Sequence, residues 1–233
     1  MDFDFTPDQQ LLRNACREVL ERESPLERVR EVAASGEGYD RGLWKRTAEL
    51  GWCGLTVPEA LGGAGFGLVE ALVLAEEHGR LAQPGPLLST TVVALALDAC
   101  ASDAQRDAWL PRIAAGECIA TWAALDDGGS ADPLAAMLAA ESEGDGWRLH
   151  GRKRLVVDAP VANLLLVSAR TAEGPALFLV EADAAGVRTD AHRTLDLSRS
   201  MGLVTFDSVR LAREARLPDE DIEIGRASCR ERV

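Results

Sequence analysis

The hydrophobic pattern in the first half of the chain has the spacing of amphipathic helices. Thr6, Pro7 and Gln9 form an N-terminal capping signal, after which apolar residues recur on one face until Ser24-Pro25. Further helices are predicted over 25–34, 41–50, 68–81, 87–101 and, after a second capping signal at Ser102 to Gln105, up to about residue 115. The pattern predicts that helices 68–81 and 87–101 are buried among others.

After residue 116 the pattern changes to short runs of branched and aromatic residues separated by turn pairs such as Asp145-Gly146 and Glu173-Gly174. The predicted strands are 118–125, 147–149, 155–157, 164–169, 176–182 and 203–206. Their spacing predicts an antiparallel β-barrel or sandwich. The fold class is therefore α+β and multidomain, with an all-α bundle over 1–116, a β domain over 117–224 and a tail over 225–233. The tail has no apolar period and is predicted to be a foreign or frayed end, with a basic tail as the alternative.

A glycine-rich stretch, residues 50–67, joins two of the predicted helices and holds six glycines and one proline. Such glycine density indicates backbone with φ > 0 or very close approach to another group. The spacing does not fit a dinucleotide fingerprint, because Gly63 and Gly65 would require a glycine where Leu68 stands. The pattern therefore argues against a Rossmann site.

Composition and charge narrow the function classes. A formal net charge of −13 argues against nucleic acid or an anionic membrane as the main partner. The five cysteines are scattered without metal-ligand spacing, which favours buried free thiols in a reducing cytoplasm. There is no apolar run of membrane-spanning length, so no membrane span and a cytoplasmic localisation are expected. The isolated His78, His150 and His192 do not suggest a hydrolase triad or a metal centre, and each is expected to be a surface residue or a hydrogen-bonded structural residue.

The glycine-rich stretch and the helix after it resemble the N-terminal domain of the acyl-CoA dehydrogenase family. The shared residues are Leu50, Gly51, Gly54, Pro58, Glu59, Gly62, Gly63 and Gly65, followed by Glu76, Glu77 and Gly79. Further on, the run from Leu110-Pro111 to Gly116-Glu117 is similar to the family's domain boundary. The resemblance covers about residues 3–224 and lacks the family's third domain, a C-terminal helical bundle.

This resemblance implies an FAD enzyme that oxidises an acyl-CoA thioester to the 2-enoyl thioester. In such enzymes a glutamate base removes the α proton while the β hydrogen passes to flavin N5 as hydride. The base normally lies in the C-terminal domain, so no catalytic residue is assigned and the chain as given is expected to be inactive. The implied partners are an acyl-CoA substrate, an electron-transfer acceptor protein and a homo- or hetero-oligomer.

The segment from Thr121 to Ser130 lies where the family keeps its flavin-binding strand and loop. Backbone N–H groups and a hydroxyl near Gly129 and Ser130 suit a phosphate, although a plain turn is the alternative. By resemblance, Gly129 and Ser130 would contact the flavin pyrophosphate and the substrate, and Ala123 and Ala124 the isoalloxazine edge. The full set implied to bind the cofactor is Thr121, Ala123, Ala124, Gly129, Ser130, Leu155, Val156 and Val157, and Ser130 is also the implied substrate contact.

Two places depart from the family pattern. The family's strand ends in Thr-Glu-Pro, with the threonine on the flavin, whereas this chain has Ala124-Leu125-Asp126. Leu155 and Val157 replace an aromatic residue and a threonine that commonly face the flavin. Each missing side-chain hydrogen bond is worth about 1 kcal/mol. The basic cluster Arg152 to Arg154 is expected at a solvated strand edge, with a phosphate of flavin or coenzyme A as the alternative.

Two hypotheses of different class follow. The first is a fragment of an FAD-dependent acyl-CoA dehydrogenase. The second is a non-catalytic subunit of a heteromeric acyl-CoA dehydrogenase with a weakened flavin site, which Ala124, Leu155 and Val157 would permit. A binding-only β domain with a helical cap is a distant third.

Overall fold

Helices make up the first part of the chain in this computed structural model, which describes residues 4–128 and 135–218. They are α1 (Pro7–Glu23), α2 (Leu26–Ser35), α3 (Arg41–Glu49), α4 (Leu68–Arg80), α5 (Leu87–Cys100) and α6 (Asp103–Ala114). Thr6 and Gln9 cap α1 reciprocally, with Gln9 N donating to Thr6 Oγ1 over 3.2 Å and Thr6 N donating to Gln9 Oε1 over 3.0 Å. Ser102 and Gln105 repeat this arrangement at α6. The predicted helices and both capping boxes are confirmed.

One sheet follows, and its strands in the described part of the chain are β1 (Ala120–Ala123), β2 (Ala139–Glu143), β3 (Gly146–Val157), β4 (Leu164–Arg170), β5 (Pro175–Glu181), β6 (Val187–His192) and β7 (Met201–Ala212). Their order is β1-β4-β2-β3-β7-β6, and β5 pairs with the other edge of β4. β4 runs parallel to β1 and, at Arg170, to β2. The remaining strand pairs are antiparallel.

The helix-then-sheet class is therefore confirmed, whereas the prediction of an antiparallel barrel or sandwich is wrong in strand direction. The sheet is mixed, because the chain passes through the β2–β3 hairpin before β4 returns beside β1. It is also only partly closed. Runs of branched residues reveal strands but not their relative direction. The strands β2 and β6 escaped prediction because charged and polar residues interrupt them, and β3 is one strand rather than two.

β4 is buried on both faces. Leu164 and Leu166 pack with α5 and α6 in a core that also holds Val93, Leu97, Leu110 and Ile113. Leu165 and Val167 point into a second core inside the curled sheet, which contains Leu149, Phe178, Val204 and Phe206. This double burial explains why β4 is a continuous apolar run rather than an alternating one.

The helix α5 also completes the edge of β1. The Thr90 hydroxyl accepts a hydrogen bond from Ala120 N over 3.2 Å and donates to Ala120 O over 3.3 Å. Thr90 is fully buried, so this contact replaces hydrogen bonds to water. A side chain of the helical region therefore occupies the place of a neighbouring strand at the start of β1.

The glycine-rich stretch packs against protein rather than against open space. A Cβ on Gly54 would lie 2.7 Å from Ala114 Cβ at the end of α6. A Cβ on Gly63 would overlap the Val57 carbonyl group, and Gly65 N donates to that same carbonyl over 2.9 Å. These glycines allow the stretch to fold back on itself and lie against α6.

The helix α4 is less buried than its pattern predicts. Val73, Leu74 and Glu77 are covered, but Leu68 and Leu72 are 46% and 58% exposed, and Leu88 of α5 is 46% exposed. The prediction that α4 and α5 are enclosed by other helices is therefore wrong for the faces that carry Leu68, Leu72 and Leu88. Periodicity shows that a helix has apolar faces but not which of them has a neighbour.

A buried carboxylate connects α1 to α4. Glu77 is fully buried and accepts hydrogen bonds from Arg17 over 2.6 and 2.9 Å and from Arg13 and Arg80 over 3.1 Å each. The hydrogen bonds from Arg17 lower the pKa of Glu77 from 4.5 to about 2, with Arg13 and Arg80 contributing in the same direction. The adjacent Glu76 is 55% exposed and pairs with Arg13 over 3.0 Å.

We expect Gly63→Ala to destabilise the fold by more than about 2 kcal/mol, because the new methyl group meets backbone that cannot move away. The matched control is Gly79→Ala in α4, where a Cβ meets nothing within 4 Å and helix propensity improves. Urea unfolding at neutral pH measures both. Equal effects of the two substitutions would contradict the close-packing explanation.

We expect Glu77→Gln to cost about 3 kcal/mol at neutral pH, far more than the control Glu76→Gln, because three partly exposed arginines lose the fully buried carboxylate that they share. The folded-state pKa of Glu77 lies below its ordinary value, so its contribution is complete above pH 4.5 and is lost as the pH falls towards 2. The stability gap between wild type and Glu77→Gln should therefore narrow over that interval. Urea unfolding across the pH series tests this, and a pH-independent gap would count against it.

Candidate functional site

The residues predicted to contact a cofactor lie on two neighbouring segments. The continuation of β1, residues 124–126, runs antiparallel to the end of β3, with Asp126 bridged to Lys153 and Arg154 N donating to Leu125 O over 2.8 Å. Within β1, Thr121 Oγ1 donates to the carbonyl oxygen of Val157, the last residue of β3, over 2.5 Å. The structure thus brings Thr121, Ala123 and Ala124 beside Leu155, Val156 and Val157. Gly129 and Ser130 lie outside the described residues, as does the predicted tail.

These six positions differ in which of their atoms a ligand could reach. Ala123 and Val156 are 0% and 2% exposed within the core of the sheet, so only their backbone is available to a ligand. Ala124 and Val157 are half-buried. Leu155 is 45% exposed and has a φ of +49°, at a β-bulge where the register of β3 against β7 shifts. The bulge turns this apolar side chain outwards.

Lys153 lies in the interior, although the basic cluster Arg152 to Arg154 was expected at a solvated strand edge. It is fully buried, and its Nζ lies 2.8 Å from Asp126 Oδ1 and donates to Ala124 O over 3.0 Å. Burial lowers the pKa of Lys153, while the hydrogen bond and charge of Asp126 oppose the shift. The expectation of a solvated edge is therefore wrong for Lys153, whereas Arg152 is 55% exposed and pairs with Asp127. A sequence signal did exist, since Lys153 has the same period-2 phase as the buried Leu149.

The end of β3 is fixed to the helical region through Asp158. This residue is 3% exposed, has a φ of +55°, and accepts a hydrogen bond from Ser89 Oγ of α5 over 2.8 Å. Its backbone N donates to Ser200 O over 2.8 Å. Burial raises the pKa of Asp158, and the hydrogen bond from Ser89 works against that shift. Helix α5 and the β6–β7 loop therefore meet directly beside Val157.

An apolar groove lies on the face of α5 that is turned away from β1. Its volume is about 380 Å³, within the range of small-molecule sites. α3, α4 and α5 form its walls with Leu43, Trp44, Leu68, Leu72, Leu88 and Leu95. Charged residues at its margin include Asp40, Asp196 and Arg199. The sequence did not predict this groove, because it depends on which apolar faces stay uncovered.

His78 also lines this groove and has a structural role, as predicted. Its Nδ1 lies 2.9 Å from Leu74 O, and its ring contacts Trp52 edge-on at a centroid distance of 5.7 Å. Burial lowers the pKa of His78. The imidazole is therefore kept neutral near physiological pH rather than presented as a cation.

Within residues 4–128 and 135–218, no cluster of three His, Cys, Asp or Glu side chains could hold a metal ion. The described cysteines Cys16, Cys53, Cys100 and Cys118 are buried thiols that form no disulfide with one another. Burial raises the pKa of Cys16 to about 12 and that of Cys53 and Cys118 to about 11, so these thiols stay protonated. In the same part of the chain, no helix has the length and apolarity needed to cross a membrane.

Comparison with known proteins assigns both parts of the chain. Residues 6–117 match the family model "Acyl-CoA dehydrogenase, N-terminal domain", and residues 121–209 match "Acyl-CoA dehydrogenase, middle domain". The helical region and the mixed sheet thus correspond to the N-terminal and middle domains of a dehydrogenase architecture. The chain belongs to the acyl-CoA dehydrogenase family.

Individual relatives agree with this assignment. The acyl-CoA dehydrogenase FadE27 of Mycobacterium tuberculosis is 30% identical over 225 residues, which is 96% of this chain and 59% of that protein. The ChsE4–ChsE5 complex of the same organism matches with a TM-score of 0.86 and 30% identity over 93% of this chain and 58% of that one. A glutaryl-CoA dehydrogenase from Mycobacterium smegmatis in complex with FADH2 has a TM-score of 0.84 at 24% identity, covering 94% of this chain and 58% of that one, and shows the fold alone. The chain spans about three-fifths of the length of these proteins.

Proposed function

We propose that this chain forms the N-terminal and middle parts of an FAD-dependent acyl-CoA dehydrogenase. The observation that carries the proposal is the juxtaposition of the β1 and β3 segments, in a chain whose two parts match the family's N-terminal and middle domains. The family's reaction is the α,β-dehydrogenation of an acyl-CoA thioester. When bound, FAD would supply the acceptor for the β hydrogen as hydride.

The residues present fit the apolar part of a flavin better than its polar edge. Leu155 is 45% exposed and Ala124 is half-buried, and neither side chain offers a hydroxyl where the two segments meet. The Thr121 hydroxyl already donates to Val157 O, although it can still accept a hydrogen bond. Side chains at these positions therefore supply shape and exclusion of water, and polar recognition would come mainly from backbone groups. We infer FAD binding of reduced affinity.

The groove between α3, α4 and α5 is the proposed site for the acyl chain. Its walls are mainly apolar, and apolar chains gain about 0.8 kcal/mol for each buried CH₂ group. Helix α5 contributes Leu88 and Leu95 to the groove and Ser89 to the contact with Asp158, so one helix connects the groove to the end of β3. An acyl-CoA substrate, an electron-transfer acceptor protein and an oligomeric assembly in the cytoplasm belong to the same proposal.

A non-catalytic subunit of a heteromeric acyl-CoA dehydrogenase is the second candidate. It is favoured by the absence of a side-chain hydroxyl at Ala124 and Val157. A solved relative, the ChsE4–ChsE5 complex, is named for two different chains. In this case the partner chain would hold the flavin, and the sheet described here would support the interface.

The direct test is an FAD titration by flavin fluorescence, followed by acyl-CoA-dependent reduction of an artificial electron acceptor. We expect the chain to bind FAD weakly and to show no turnover, because no catalytic base is assigned within it. Turnover well above a buffer control would overturn the expectation of inactivity. Absence of any FAD binding would favour the non-catalytic subunit.

Restoring hydroxyl groups should strengthen a real flavin site. We expect Ala124→Thr with Val157→Thr, in a version extended by the family's C-terminal helical domain, to tighten FAD binding by up to about tenfold. The control is Ala191→Thr on the exposed edge strand β6, which should leave FAD affinity unchanged. Flavin fluorescence gives the affinities and melting curves report the fold. Unchanged affinity with an intact fold would mean that these positions do not face a flavin.

A further inference from the structure

Lys153 and Asp126 form a buried ion pair at the corner where β1 ends. We call this pair, with the backbone atoms that it binds, the Lys153 clamp. The side chain of Lys153 is 0% exposed and that of Asp126 is 10% exposed. The ammonium binds both the Asp126 carboxylate and the Ala124 carbonyl oxygen, so two of its N–H groups have partners on one short segment.

The Asp126 carboxylate extends the clamp to a second segment. Met137 N donates to Asp126 Oδ2 over 2.8 Å, and Leu138 N donates to Asp126 Oδ1 over 3.1 Å. One side chain therefore holds the chain just after β1 and just before β2. Both segments are joined to β3 through Lys153.

Neighbouring arginines repeat the same type of contact. Arg154 Nε donates to Asp126 O over 3.1 Å, and Arg170 Nε donates to Ala136 O over 2.8 Å. Cationic side chains from β3 and β4 thus hold backbone carbonyls on both of these segments. Three such contacts, with Ala124, Asp126 and Ala136, fix backbone positions rather than bury apolar surface.

Stability alone does not account for a charged lysine in this place. Removing an ammonium and a carboxylate from water is costly for both groups, and an apolar pair of similar volume is often as stable. What an apolar pair lacks is the set of directed hydrogen bonds to Ala124 O, Met137 N and Leu138 N. The ion pair gives this corner one defined geometry.

The clamp lies beside the surface assigned above to the flavin. The antiparallel bridge between Asp126 and Lys153 brings the segment of Ala124, whose carbonyl Lys153 binds, alongside the segment of Leu155 at the β-bulge. We propose that Lys153 is a positioning residue: through Asp126 and the Ala124 carbonyl it holds the corner after β1 against β3, and so sets the Ala124–Leu155 surface for the flavin. The flavin part of this inference rests on the proposed function.

The test compares Lys153→Met and the neutral double variant Lys153→Met/Asp126→Asn with wild type. Lys45→Met, at an exposed site on α3, is the control for loss of one lysine charge. Each protein is measured for melting temperature, for amide hydrogen exchange at residues 124–126 and 137–138, and for FAD affinity. The visible absorption band of bound FAD is recorded in each case.

We expect exchange at these amides to accelerate in Lys153→Met while the amides of α1 keep their protection. The double variant should melt at a higher temperature than Lys153→Met, because no unpaired charge remains, yet bind FAD at least about tenfold more weakly than wild type and with a shifted absorption band. Lys45→Met should match wild type. If Lys153→Met does not fold, the double variant alone is compared with wild type.

Two results would overturn the inference. One is unchanged exchange at residues 124–126 and 137–138 in a folded variant without Lys153. The other is wild-type FAD affinity in a stable double variant, which would show that Lys153 contributes to stability alone. Failure of the wild-type chain to bind FAD would count against the proposed function, while the exchange data would still decide whether the clamp positions this corner.

Discussion

Burial of β4 on both faces is the constraint on which the rest of the structure depends. Leu164 and Leu166 require a helical layer on one side, and Leu165 and Val167 require the closed interior of the sheet on the other. A strand with two apolar faces is stable only between two layers. α5 and α6 supply one layer, and the curl of the sheet towards β7 supplies the other. The position of β1, and with it the proposed cofactor corner, follows from its parallel pairing with β4.

Local signals in the sequence predicted the local structure well. The capping boxes at Thr6 and Ser102 marked helix starts because the chemistry of a helix N-terminus involves only neighbouring residues. The parallel pairing of β1 with β4 was not predictable in the same way, since it depends on where the chain returns after the β2–β3 hairpin. The exposed face of Leu68 and Leu72 was missed for a related reason, because periodicity does not identify neighbours.

The candidate site was predictable only as far as the family pattern extends. That pattern pointed to β1 and β3, and the structure places those segments side by side. Lys153 and Asp126 were missed as partners because 27 positions separate them and a run of basic residues normally indicates a solvated surface. Burial and pairing are properties of the fold, so no local count of charges reveals them.

The Thr90 contact has a consequence for how this protein can be divided. At the start of β1, the hydroxyl of a helical residue occupies the place of a neighbouring strand, so the sheet is completed by the preceding region of the chain. A fragment that began after α6 would expose the amide and carbonyl of Ala120 together with the apolar outer face of β4. An uncovered strand edge next to an apolar surface promotes pairing between molecules. The helical region therefore protects the sheet from pairing with other molecules, and a division of the chain after α6 would remove that protection.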